Sequence, residues 1–136
     1  MELTAHYAGG VKFEIAIRGH RVICDQPIGN GGLDEGMSPP EFLLASLATC
    51  GGFYAAQYLK TRGLSADGLQ VRVSAEKAPH PARLASFHLE VSVANLDARH
   101  EAGLLRAVKT CLIHNTLLSP PEISVSLTGS PVLASS

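Results

Sequence analysis

Three cysteines, Cys24, Cys50 and Cys111, are the residues of this sequence best suited to redox or nucleophilic chemistry. A cysteine attacks electrophiles and binds metals as its thiolate. An odd number of cysteines without short spacing fits neither a secreted disulfide framework nor a two-knuckle zinc site. In a reducing compartment we expect all three to rest as thiols.

The surroundings of each cysteine are also compatible with a packing role. Cys50 lies in an apolar run, and Cys111 lies on the apolar stripe of a predicted helix. Free cysteine is among the most buried residue types, so each of these thiols, taken alone, is explained as a small core side chain. Cys24, at the end of a predicted strand, is interpreted as structural.

Cys111 and His114 have a spacing that places two side chains on one metal ion when they lie on a helix. Cys50 would supply a third ligand, but no fourth is evident. A histidine near the C-terminus of a helix is also favoured by the helix dipole alone. We therefore expect neither a metal nor a cofactor.

The first part of the chain has the pattern of a β-hairpin. Apolar residues alternate with small or charged ones over residues 11–17, residues 18–20 turn the chain, and residues 21–24 predict the returning strand. A glycine-rich loop follows at 27–36.

A long helix is predicted over residues 39–62. Ser38 and Glu41 form a capping-box pattern with Pro39 at the first helical position, and Gly63 can take the left-handed conformation that ends a helix. A stripe of small residues three and four apart indicates close packing of one helix face: Ala45, Ala48, Gly52 and Ala55. This face would pack either against the chain's own sheet and second helix or against the same helix of a second copy.

The rest of the chain predicts a second hairpin, a second helix and a closing strand. Residues 69–76 and 84–94 alternate as paired strands, Asp97 can cap a helix that runs to about residue 114, and residues 122–127 alternate again. This order is that of an α+β domain in which the long helix lies across a mainly antiparallel sheet.

Composition excludes several classes of function. The chain has 136 residues, which is the length of one domain, and its net charge of -1 lacks the basic surplus that binds phosphate backbones. We therefore expect no nucleic acid as a partner. We also expect no membrane as a partner, because polar residues and a glycine pair interrupt the uncharged stretch between Glu41 and Lys60. The N-terminus shows no secretory signal, so a cytoplasmic location is expected.

Two segments resemble the OsmC/Ohr superfamily. The stretch from Ser38 to Cys50, SPPEFLLASLATC, is similar to the family's central-helix motif, in which a Pro-Glu helix start leads to the first family cysteine. The stretch from Ala107 to Cys111, AVKTC, resembles the second-helix cysteine segment. The order of elements and the separation of the two cysteines also fit. The chain is identified as a member of this superfamily, with a single OsmC-like domain over residues 1–136.

The resemblance implies an intertwined homodimer and a thiol-dependent peroxidase whose reacting pair is Cys50 and Cys111. In that chemistry the Cys50 thiolate takes an oxygen from an organic hydroperoxide and becomes a sulfenic acid, which Cys111 resolves as a disulfide. A lipoyl-type dithiol would restore both thiols. Apolar residues flank Cys50 in the sequence, so organic hydroperoxides are expected to be better substrates than hydrogen peroxide.

The thiolate requires stabilisation, and a cysteine in the middle of a helix gains little from the helix N-terminus, so we expect a cation. The Ohr branch uses an arginine from the N-terminal region and a glutamate at the helix start. Arg18 is the candidate arginine, although it falls at a hairpin tip, and Lys12 and Arg21 are alternatives. Glu41 is the candidate acid. It lies half a turn out of phase with Cys50, which favours a capping role or action across a dimer interface.

In a second hypothesis the protein has the same fold and cysteines but does not reduce hydroperoxides efficiently. The chain would then be a dimeric redox-responsive or apolar-ligand-binding protein. Pro40 stands where the Ohr motif has its glutamate, and this departure is the sequence feature that separates the two hypotheses.

Overall fold

The computed structural model describes residues 1–129, which begin with a three-stranded antiparallel sheet. Its strands are β1 (Thr4–Tyr7), β2 (Phe13–Ile17) and β3 (His20–Cys24), in that order across the sheet. The predicted hairpin is confirmed. Arg18 and Gly19 form its two-residue turn with positive φ angles of 48° and 81°, the backbone of a type I′ turn. Strand β1 was not predicted; it is short, and all of its residues are exposed.

The predicted long helix is confirmed as α1 (Pro39–Thr61). At its start the backbone N–H and the hydroxyl of Ser38 donate to Glu41 Oε1 at 2.9 and 2.7 Å. At its end Gly63 has a φ of 68° and donates to the carbonyl of Lys60, while Leu64 donates to the carbonyl of Leu59. These two bonds form a Schellman motif, so both ends of α1 are defined by local sequence.

The second hairpin consists of β4 (Gln70–Pro79) and β5 (Ala82–Ser92), and both strands are longer at the turn than predicted. In the paired strands Val71 lies opposite Val91 and Val73 lies opposite Leu89. Helix α1 packs across this hairpin. The buried core contains four residues from two helices, and the hairpin packs against it: Ala55, Leu59, Leu104 and Val108.

The prediction of one continuous second helix is wrong, because this segment forms two helices. A short 3-10 turn capped by Asp97 leads into α2 (Glu101–Lys109), and α3 (Leu112–Leu118) follows after an interruption. At the interruption the Thr110 hydroxyl donates to the carbonyl of Ala107 at 2.6 Å. A side chain that bonds back to the helix in this way competes with helix continuation.

The small-residue stripe of α1 packs in part within the chain. Ala55 is fully buried in the core, and a Cβ at Gly52 would lie 3.6 Å from Val71 on β4. The opposite side of α1 is open, with Phe53 60% exposed. Helix α1 is also long and apolar enough to cross a membrane by length and composition.

The N-terminal sheet makes few contacts with the helices and with the second hairpin. The pairing of its strands places Tyr7, Phe13, Ile15 and Val22 on one face. Tyr7, Phe13 and Val22 are exposed. The described part of the chain therefore contains a sheet with an open apolar face.

The predicted closing strand at 122–127 is wrong for this structure. The segment lies within the described residues but forms no strand, and its apolar side chains are exposed, from 83% at Ile123 to 97% at Leu127. Its alternating sequence suits a strand, but a strand also needs a neighbour for its backbone hydrogen bonds. The predicted domain continues to residue 136, and residues 130–136 lie outside the described ones.

Candidate active site

Cys50 lies in the middle of α1, where the next residue allows a second helix to approach closely. A Cβ at Gly51 would lie 3.3 Å from Val108 Cγ1 on α2 and 3.5 Å from Leu89 Cδ2 on β5. Val108 is one helical turn before Cys111. The absence of a side chain at Gly51 thus brings the end of α2, and Cys111 with it, close to Cys50.

Cys111 occupies the interruption between α2 and α3. Its backbone is extended, with φ −55° and ψ 133°, and its sulfur accepts the backbone N–H of His114 at 3.5 Å. Cys111 is thereby the N-cap residue of α3. The predicted burial of Cys111 is confirmed by an exposure of 0%. Its predicted position inside a helix is wrong, because the residue lies at the start of one.

The surroundings of Cys50 lower the pKa of its thiol below the ordinary value. Burial acts in the opposite direction, but hydrogen bonds from the Cys111 side chain and from the backbone N–H groups of Ile113 and Leu112 outweigh it. In this structure the start of α3 therefore supplies the stabilisation that the sequence analysis assigned to a cation. That source was missed because the helix was predicted without a break.

The Cys111 thiol shows the opposite behaviour. Burial raises its pKa, the hydrogen bond to Cys50 raises it further, and the N–H groups of His114 and Ile113 only partly compensate. The structure thus brings together two thiols of different acidity. Cys50 is the more acidic thiol of the pair.

Cys24 lies at the end of β3 in the N-terminal sheet, where it forms a parallel bridge with Met37. Among residues 1–129, no group of three or more histidine, cysteine or acidic side chains is arranged to hold a metal ion. The spacing of Cys111 and His114 therefore gives no metal cluster in the described chain.

The structure does not bring the other predicted site residues to the thiol pair within the chain. Arg18 lies at the exposed tip of the β2 to β3 hairpin. The alternative cations are already paired, Lys12 with Glu35 at 2.8 Å and Arg21 with Glu14.

Glu41 occupies the cap of α1. Its carboxylate accepts two hydrogen bonds from Ser38, and these bonds lower the pKa of Glu41 below its ordinary value. Glu41 therefore has a structural partner in this chain.

An open groove of about 370 Å³ lies between α1, β5 and α3. It borders the site, because Leu47 precedes Cys50 by one helical turn and the N–H of His114 binds Cys111. Its lining is mostly apolar: Leu47, Leu84, Ala85, Ser86, Phe87, Leu89, His114, Leu117 and Leu118. The groove was not predicted, because its walls come from three separate parts of the chain.

Solved structures with the same fold come from several bacteria. A protein from Psychrobacter arcticus 273-4 superposes with a TM-score of 0.77 at 21% identity, covering 84% of this chain and 85% of its own. An OsmC-like protein from Mycoplasma pneumoniae gives 0.71 at 20% identity, with 88% and 87% covered. The organic hydroperoxide resistance protein OhrB of Bacillus subtilis gives 0.56 at 20% identity, with 88% and 90% covered.

These identities are low, so the structural likeness shows the fold alone. A comparison with curated proteins gives no match. The OsmC-like protein family matches residues 31–126, a range that includes both cysteines of the pair. The chain belongs to the OsmC-like protein family and has its α+β fold.

Proposed function

We propose that this protein is a thiol-dependent peroxidase that reduces organic hydroperoxides to alcohols. The observation that carries the proposal is the contact between Cys50 and Cys111 with opposite shifts in their pKa values. A peroxidase needs one thiolate to attack and one thiol to resolve, and the pair has this asymmetry. Membership of the OsmC-like family and the organic hydroperoxide resistance function of a protein with the same fold agree with it.

In the proposed reaction the Cys50 thiolate attacks the terminal oxygen of the hydroperoxide. The O–O bond breaks, sulfur is oxidised to a sulfenic acid, and the alkoxide takes a proton and leaves as the alcohol. The Cys111 sulfur then attacks the Cys50 sulfur, a disulfide forms and water leaves. An external dithiol returns two electrons by thiol–disulfide exchange.

The groove beside the pair supports an apolar substrate. An alkyl or aryl group gains free energy when it leaves water for a site lined by leucine and phenylalanine side chains. Hydrogen peroxide has no such group. We therefore assign organic hydroperoxides, rather than hydrogen peroxide, as the substrate class.

Burial of the two sulfurs differs, and this supports a defined route for the reductant. Cys111 is fully buried, whereas Cys50 is partly exposed. An incoming thiolate can therefore approach the disulfide at the Cys50 sulfur. We assign a small dithiol of the lipoyl type as the reductant, because its second thiol completes the exchange without a further partner.

The proposed functional unit is a homodimer. The apolar face of the N-terminal sheet and the open side of α1 at Phe53 are both exposed, and a second copy would cover them. Residues 122–127, which have a strand-like sequence but no neighbour, would find one in such a dimer. The exposed position of Arg18 at the hairpin tip suits a role beside the thiol pair of a second copy. Glu41, at the start of α1, would act as an acid on the thiol pair of the second copy.

The deciding experiment measures consumption of cumene hydroperoxide and of hydrogen peroxide with dihydrolipoamide as the reductant. The wild-type protein is expected to consume the organic peroxide faster, and Cys50→Ser is expected to abolish turnover. Cys24→Ser is the matched control and should keep it. An active Cys50→Ser variant or a preference for hydrogen peroxide contradicts the proposal.

The same experiment tests the second candidate, an apolar-ligand-binding protein, which the groove also favours. That candidate predicts no turnover of either peroxide by the wild-type protein. It further predicts saturable binding of an apolar fluorescent probe that is weakened by Leu117→Glu in the groove.

A further inference from the structure

His114 has an unusual position beside the thiol pair. It was predicted near the end of a helix, but the break at Cys111 puts it in the first turn of α3. Its backbone N–H binds the Cys111 sulfur at 3.5 Å, and the residue lines the groove. His114 therefore links the pair to the surface along which an apolar peroxide would lie.

Among the groove residues that the structure describes, none besides His114 has an acidic or basic side chain. From α1 it is lined by Leu47, and from α3 by two further leucines. The lining of β5 is apolar except for the hydroxyl of Ser86. The titratable neighbours at the site are the thiols of Cys50 and Cys111, one of which attacks while the other keeps its proton. Imidazole is the side chain that gives and takes protons near neutral pH.

The proposed reaction requires a proton at one defined moment. When the O–O bond breaks, its electron pair leaves with the alkyl-bearing oxygen, and an alkoxide is a strong base. An acid held beside the departing oxygen supplies that proton without waiting for a solvent molecule to be oriented. A positioned acid contributes about 10²- to 10⁴-fold to such a step.

We infer that His114 is the general acid of the peroxide-cleaving step. The Cys50 thiolate bonds to the terminal oxygen, the O–O bond breaks, and the imidazolium of His114 gives its proton to the departing alkoxide. The products are the Cys50 sulfenic acid, the alcohol and neutral imidazole, which regains a proton from solvent. This role rests on the proposed peroxidase function and adds a residue to it.

The test compares two oxidants that differ in the base they release. Reduction of tert-butyl hydroperoxide releases an alkoxide, which needs a proton, whereas reduction of peracetic acid releases acetate, which does not. The variant is His114→Gln. Its matched control is His88→Gln, a second histidine on β5 that is exposed and lies between the groove residues Phe87 and Leu89 in the chain.

For His114→Gln we expect kcat/KM for tert-butyl hydroperoxide to fall about 100-fold, in the range of lost general acid catalysis. The value for peracetic acid should change by less than about threefold, which also shows that the variant is folded and that Cys50 is still a thiolate. His88→Gln should match the wild-type protein with both oxidants. Alkylation of Cys50 by iodoacetamide, followed by peptide mass, should proceed at the same rate in all three proteins.

Equal losses with the two oxidants would give His114 a purely structural role and overturn the inference. Unchanged kinetics with tert-butyl hydroperoxide would overturn it as well, while the peroxidase function would stand. A wild-type protein that reduces neither oxidant would remove the proposed function, and the role of His114 with it.

Discussion

The side chains of Cys50 and Cys111 interact, and this interaction lowers the pKa of the Cys50 thiol and raises that of the Cys111 thiol. Two free thiols of equal acidity would react in either order. The difference arises because Cys111 is fully buried and begins α3, whose first N–H groups stabilise negative charge on Cys50.

The first prediction is that Cys50 reacts with iodoacetamide before Cys111 does, at a pH below the ordinary thiol pKa of 9.0. Its lowered pKa gives a larger thiolate fraction, whereas the Cys111 thiol is both buried and less acidic. Peptide mass after short labelling measures the order. Faster labelling of Cys111 would contradict the assignment.

The same shifts predict how stability depends on pH in the reduced protein. Folding lowers the pKa of Cys50, so the folded state releases this proton first and the free energy of unfolding rises as pH approaches 9.0. Folding raises the pKa of Cys111, so its contribution is lost as pH rises above that value. Urea unfolding between pH 7 and pH 10, in about unit steps, should show a maximum in the free energy of unfolding. This maximum should disappear in the double variant Cys50→Ala and Cys111→Ala.

A second prediction concerns the products of mild oxidation. One equivalent of hydroperoxide should produce a disulfide between Cys50 and Cys111, with Cys24 still open to alkylation, because Cys24 lies in the separate N-terminal sheet. In Cys111→Ser the oxidised Cys50 lacks its resolving thiol and should accumulate as sulfenic acid, or as sulfinic acid when a second equivalent is added. Peptide mapping that finds Cys24 in a bridge would overturn this assignment.

Local sequence predicted the elements whose ends are defined by neighbouring residues. The bounds of α1 follow from Ser38 at its start and Gly63 after its end, and the turn at Arg18 follows from the residue types around it. The break before α3 was missed, because the apolar stripe continues through it and does not show the Thr110 hydroxyl bonding back to the carbonyl of Ala107. The strand at 122–127 was predicted from its alternation, which contains no information about a partner strand.

The thiol pair itself was predicted from a resemblance, and its electrostatics were not. A cation was expected because sequence shows charged side chains but not the direction of backbone N–H groups. The groups that lower the pKa of Cys50 belong to Leu112 and Ile113, two apolar residues with no chemical signature of their own. A prediction of the break between α2 and α3 would have revealed these N–H groups.

A third prediction uses the two adjacent glycines of α1. Gly52→Ala should raise the free energy of unfolding by up to about 1 kcal/mol, because alanine favours the helix and its Cβ meets Val71 at an ordinary 3.6 Å. Gly51→Ala should gain less or lose stability, because Val108 at 3.3 Å must move. It should also slow formation of the disulfide. Equal effects of the two substitutions would contradict the close approach of α2.

A fourth prediction separates the two roles of Glu41. Because its carboxylate accepts hydrogen bonds from Ser38 and has a lowered pKa, it stabilises the fold at neutral pH, and this contribution is lost as pH falls through the folded pKa. Glu41→Gln should therefore lower Tm at pH 7 and have a smaller effect at about pH 3. A loss of kcat/KM beyond the loss of folded protein would instead assign Glu41 to the thiol pair of a dimer.

The last prediction concerns the open apolar face of the N-terminal sheet. If a second copy covers it, light scattering should give twice the chain mass of 14.3 kDa. Tyr7 lies on that face and is 67% exposed in the single chain, so Tyr7→Glu places a charge in the interface. Thr4 lies on the opposite face of β1, is exposed and pairs with Ala16, so Thr4→Glu is the matched control. Tyr7→Glu should shift the protein towards the monomer at micromolar concentration, while Thr4→Glu stays dimeric. A wild-type monomer, or equal behaviour of the two variants, would show that this face does not form the interface.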